Sequence, residues 1–200
     1  MNLFPAGRVR RSESTQPARW HLSEIAGRLV EISGSGTTAA LTLVFGLVLE
    51  AQEQGELVGW TTRDESSFYP PDAAQGGVDL DALVVVRVPD AEAVPRAGEK
   101  LLRSGAFGLV VLDIGIIEIP IPLQARLAAL AQQHHTALVC LTEKESRAPS
   151  LGSLISLRVH VQRKQTSEGQ FAWELKVLKD KRRGPTWTQA EVCYGPAGLR

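Results

Sequence analysis

Six consecutive small residues, Gly34-Ser35-Gly36-Thr37-Thr38-Ala39, lie between a short apolar run and a longer one. A strand that ends in a Gly/Ser/Thr turn and opens directly into a helix presents backbone N–H groups to an anion. That is phosphate-binding chemistry. The full nucleotide version needs two glycines separated by four residues, then Lys and Ser or Thr. No lysine occurs anywhere from Gly34 to Glu50, so the turn has the shape of an ATP cradle without its cation.

A second group of residues could contact nucleic acid. Lys176, Lys179, Lys181, Arg182 and Arg183 crowd one stretch, Arg158, Arg163 and Lys164 another, and Trp173 and Trp187 interleave. Basic grooves with aromatic platforms bind single strands, whereas exposed edge strands also carry Lys and Arg simply to block aggregation. Both readings stand at this level. His21, His134, His135 and His160 show neither metal-ligand spacing nor a nucleophile partner, and no serine lies in a nucleophile-elbow pattern. No catalytic residue, metal site or cofactor is expected. Cys140 and Cys193 read as small buried hydrophobes, consistent with a reducing compartment.

Two hundred residues suit one domain with a sizeable core. Lys+Arg and Asp+Glu both number 22, so any nucleic-acid binding must come from local patches. The basic N-terminus is not followed by an apolar core of the signal-peptide kind. The longest apolar stretch, 39–49, is about half the roughly 20 residues a membrane span requires. The expectation is a cytoplasmic protein without membrane contact.

Residues 1–19, rich in Pro, Gly, Ser and Arg, read as a flexible basic arm, and 20–200 as the folded core. A short helix or turn at 20–25 should pack Trp20. Strands are expected at 29–32, 57–61, 83–88, 107–113 and 137–141, and helices at 38–54, 91–103 and 122–134. Residues 62–72 read as a polar loop carrying Glu65, and the valine run at 83–88 as a strand buried on both faces. The strand at 107–113 (FGLVVLD) finishes in Asp113. Strand–helix alternation with short connections predicts an α/β fold with a mostly parallel, twisted sheet flanked by helices. From 157 on, period-two alternation around a turn at 166–169 adds a C-terminal antiparallel hairpin, with a further strand at 186–194.

In order and wording these elements resemble the core domain of RecA recombinases. GRLVEI at 27–32, GVDLDAL at 77–83, RSGAFGLVVLD at 103–113 and LKVLKDKRRGP at 175–185 carry the likeness, which covers about 27–195. The resemblance places Glu65 at the family's water-activating glutamate and Asp113 at the carboxylate that helps hold magnesium. Thr38 falls where the lysine belongs, in a loop about two residues short. Gly34, Ser35, Gly36, Thr37, Thr38, Glu65 and Asp113 would then form a vestigial nucleotide site. Thr142-Glu143 replaces an Asn-Gln pair that senses the γ-phosphate, and both DNA-binding loops look cut. The first is reduced to the apolar 114–122.

A RecA-like core with these losses resembles the bacterial ImuA and SulA group of RecA paralogues. That likeness implies a non-hydrolytic adaptor in the SOS response to DNA damage, a translesion-synthesis and mutagenesis accessory factor. Its implied partners are an ImuB-like polymerase-family protein, an error-prone replicative polymerase and RecA itself, with DNA binding weak or indirect. The contact surfaces would be the N-terminal arm, the hairpin 158–183 and the apolar 114–122. Two alternatives remain open. One is an unconventional ATPase using Glu65 and Asp113, with Lys179 or Lys181 of a neighbour as the cation. The other is an inhibitor that caps a RecA or cell-division filament.

Overall fold

The computed structural model describes residues 20–36, 38–66, 68–167, 170–184 and 188–194. The expected arm at 1–19, together with Thr37, Trp187 and the centre of the turn at 166–169, lies outside these residues.

A short helix α1 (Leu22–Ile25) precedes β1 (Leu29–Gly34) and α2 (Ala40–Glu53). Then come β2 (Leu57–Arg63), α3 (Pro70–Gln75), β3 (Leu83–Val88) and α4 (Val94–Ser104), which a 3-10 turn at Ala91–Ala93 introduces. β4 (Phe107–Gly115), α5 (Ile121–His134) and β5 (Ala137–Glu143) follow. The chain closes with β6 (Leu157–Ser167), β7 (Gln170–Asp180) and β8 (Thr188–Tyr194). All eight strands form one sheet in the order β3-β2-β4-β5-β1-β6-β7-β8. Pairing is parallel from β3 through β6 and antiparallel for β6–β7 and β7–β8. The expected parallel sheet with an antiparallel hairpin extension is present.

Two apolar clusters cover the faces. Val30 and Ile32 of β1 join α1 and α2, together with Trp60, Val111, Val139 and Val159. Their strand neighbours Leu29, Val110, Leu112, Leu138 and Cys140 join α4 and α5. Period-two alternation in β1, β4 and β5 therefore feeds both layers, which explains the apolar runs of β4 and β5. Pro95 stands in the first turn of α4, where its missing N–H costs nothing, and Gly105 stops the helix at φ 67.

Two expectations are corrected. β3 is an edge strand with Val84 42% exposed, so its valines are not buried on both faces. A run of valines reports propensity, not the presence of a neighbour on each side. The loop at 62–72 also gives up its end to α3, because Pro70 and Pro71 are preset for a helix's first turn.

Candidate functional site

β1 runs straight to Gly34, and α2 begins at Ala40. Between them Thr38 folds back over the glycine. A side chain on Gly34 would come within 2.7 Å of Thr38 Cβ, so only glycine fits beneath it. The Thr38 hydroxyl donates to the carbonyl of Val161 on β6 at 3.0 Å and accepts from the Ala40 N–H at 3.1 Å. One of the orphan donors at the helix N-terminus is thereby satisfied by the chain itself. Ser35 and Gly36 are exposed, the latter at φ 60.

The two carboxylates differ. Glu65 is exposed in the loop after β2. Asp113 is half-buried on β4, beside Gly115, which pairs with Thr142 of β5. The Thr62 hydroxyl donates to Asp113 Oδ2 at 2.8 Å. Burial holds the Asp113 carboxyl above its ordinary value, partly opposed by the Thr62 bond and by Arg63, while Glu143 adds to the rise. Among the described residues, no group of three or more His, Cys, Asp or Glu side chains could hold a metal ion.

The basic residues differ in exposure and partners. Arg158, expected outside, is buried, and its guanidinium donates to the carbonyls of Ala148 and Glu145. Its Nε lies 3.7 Å from Glu31, which is itself fully buried. Lys179 is half-buried and donates to the carbonyls of Gly152 and Ser153; burial, with Lys181 nearby, lowers its pKa. Lys164 pairs with Glu174 at 2.8 Å and Arg183 with Glu24 at 2.9 Å. Arg163 is half-buried and has an interaction of its own. Lys176, Lys181 and Arg182 are exposed. Trp173, expected as a stacking platform, is a core residue at 7% exposure. Its neighbours Leu175 and Val177 face the same cluster, so period two assigns it inward.

Two buried groups carry more of the architecture than the sequence pattern indicated. Arg28, at the start of β1, pairs with Asp180 at 2.7 Å, with both side chains under 5% exposed. It also donates to Ser156. Glu31 accepts from the Ser150 hydroxyl at 2.8 Å and the Leu151 N–H at 3.0 Å. For Glu31 the available signal was a charged residue inside an apolar strand, and for Arg28 one directly before it.

A strand–turn–helix entry, a mostly parallel sheet and helices on both faces define a layered α/β domain. The RecA N-terminal domain family matches residues 23–138, more than half of the chain, and the chain belongs to that family. Protein RecA of Fusobacterium nucleatum is 34% identical over 87 residues, covering 44% of this chain and 23% of that protein. Protein RecA of Bifidobacterium breve is 28% identical over 209 residues, covering 84% of this chain and 53% of that protein. The Streptomyces rimosus protein is 29% identical over the same length, with 84% and 55% covered. The chain thus spans about half the length, or less, of these relatives. Among the described residues no helix is long and apolar enough to cross a membrane.

Proposed function

We propose that this chain is a RecA-family adaptor that works through protein contacts without hydrolysing ATP, in the manner of the ImuA-type translesion factors. The observation that carries the reading is Thr38. It packs on Gly34, and its hydroxyl is engaged by Val161 and Ala40; on the resemblance it takes the place of the family's lysine. A neutral threonine cannot offset triphosphate charge, and a lost charge-assisted contact of this kind is worth about 1.5–3 kcal/mol. The residues present therefore do not fit a magnesium–triphosphate. Glu143, exposed next to Thr142, adds a negative charge on the same side.

On this reading the partners are an ImuB-like polymerase-family protein and an error-prone replicative polymerase, and RecA itself is a further candidate. DNA contact is weak or indirect, and the setting is the bacterial SOS response. The test is co-purification of the chain with these three proteins, each supplied pure, with and without Mg-ATP. The expected result is a stable complex with the ImuB-like protein that nucleotide leaves unchanged. A complex that forms only with ATP, or with none of the three, contradicts the proposal.

A further inference from the structure

The end of the sheet away from the Gly34 turn carries an apolar groove of about 350 Å³, at the small end of the range for ligand sites. The last turns of α2 form one wall, and the starts of β2 and β3 form the other. The floor is aliphatic, with Leu49 of α2, Leu57 at the first position of β2 and Ala82 just before β3. Leu57 is 48% exposed. The walls are tied together. Gln52 of α2 clamps the backbone of Asp79, its Nε2 donating to the Asp79 carbonyl at 2.8 Å and its Oε1 accepting from the Asp79 N–H at 2.9 Å. Glu56 lies over Gly108 of β4, where a side chain would come within 2.8 Å of its carboxyl carbon.

The charge on this groove has one sign. Glu53, Glu56 and Asp79 line it, all exposed, with Asp81 exposed beside them. They stand at the C-terminus of α2, the negative end of the helix dipole, and no base occupies its last turn. Neither 29–62 nor 64–86 contains a Lys or Arg, and these stretches include every residue that lines the groove. Arg63 and Arg87 lie towards the far ends of β2 and β3. The bases of α4 belong to the other face of the sheet, where Arg103 pairs with Glu99 at 2.7 Å. His21 is engaged by Glu50 at 3.5 Å. Carboxylates and helix end therefore repel one another with no base among the lining residues to offset them.

We propose that this groove docks a lysine or arginine side chain presented by a partner protein. The aliphatic stem lies along Leu49 and Leu57, and the charged head meets the carboxylates of the rim. A polyamine, charged along its whole length, would set cations against the apolar floor. A neutral occupant would leave the rim uncompensated, and phosphodiester chains are repelled. The inference stands apart from the adaptor reading, because the groove and the Gly34 turn lie at opposite ends of the parallel strands.

The probes are capped Ala-Lys-Ala and Ala-Arg-Ala tripeptides, titrated into the labelled chain and followed by amide NMR shifts. The control replaces the base with norleucine, which keeps the stem and removes the charge. Saturable shifts are expected at Gly55 and Gly77, with a dissociation constant of about 1–10 mM for at least one basic peptide. Norleucine should bind about tenfold more weakly or worse, and the Glu53→Gln, Asp79→Asn double variant should weaken the basic peptide by a similar factor. That variant removes uncompensated charge from a helix end, so it should also melt about 1–3 °C higher. Equal binding of norleucine, unchanged affinity in the variant, or no saturation by either basic peptide up to about 50 mM overturns the proposal. A variant that melts lower would show that the carboxylates serve the fold, and would overturn it as well.

Discussion

Thr38 occupies the space that a side chain on Gly34 would need, and the same threonine bonds the start of α2 to β6 through Val161. The turn is a joint between a strand, a helix and a third element. The Thr38 hydroxyl is directed at the protein.

That joint should be measurable as stability. Thr38→Val keeps the shape and removes both hydroxyl bonds, including the one to the Ala40 N–H. Urea unfolding is expected to show a loss of about 1–2 kcal/mol, the order of two lost hydrogen bonds. An unchanged midpoint would mean that the hydroxyl supports nothing.

Glu31 should be far more costly to remove. It is fully buried on β1, with Arg158 and Lys144 within 4 Å and the Ser150–Leu151 backbone held against it. Glu31→Ala leaves the buried Arg158 without its carboxyl, so a loss of about 3–5 kcal/mol is expected. Arg158→Ala added to it should cost less than the sum of the single changes, because the pair acts together. Strict additivity would show that the two residues are not coupled.

His160 carries a pH dependence. It is buried beside Ser33, and burial, then the nearby Arg158 and Lys176, lower its pKa against the pull of Glu145. A base depressed in the folded state binds its proton more tightly when unfolded. Stability is therefore fully present above the ordinary histidine value and falls as pH drops through it towards the folded value. Unfolding free energy measured from pH 8 downward should decline through this range, and His160→Gln should flatten the decline. A variant profile parallel to the unmodified protein's would exclude the histidine.

The basic residues make a prediction about DNA. Arg158 is buried, and Lys164, Lys179 and Arg183 are held by protein partners. Lys176, Lys181 and Arg182 are exposed with no side-chain bond or ion pair among the described residues. Three phosphate contacts on a single strand give a log–log salt slope of about 2. A slope of about 5 or more for an oligonucleotide, reduced by Lys181→Ala with Arg182→Ala, would restore the hairpin as a DNA surface.

Much of the fold was legible because burial leaves a periodic trace. β4 and β5 show as apolar runs and β1 as one broken only by Glu31, and the alternation in β6 and β7 exposes their antiparallel hairpin. What periodicity cannot report is what lies over a face. Arg158 and His160 alternate with Val159 and Val161, as surface residues of an edge hairpin would. Yet the carbonyls of Glu145 and Ala148, in the connection after β5, bind Arg158 and close that face over it. β3 failed in the opposite sense, since its valines suit a central strand and it lies at the edge. At the site, the sequence itself shows that 34–50 contains no lysine. The seating of Thr38 on Gly34 depends on the distance between a strand end and β6, which no local pattern encodes.

The most direct measurement is equilibrium titration of the purified chain with Mg-ATP, coupled to phosphate release. No saturable binding below about 1 mM and no turnover are expected, in the unmodified protein and in Glu65→Ala alike. Micromolar affinity with turnover that Glu65→Ala abolishes would contradict the account and make the turn a working nucleotide site.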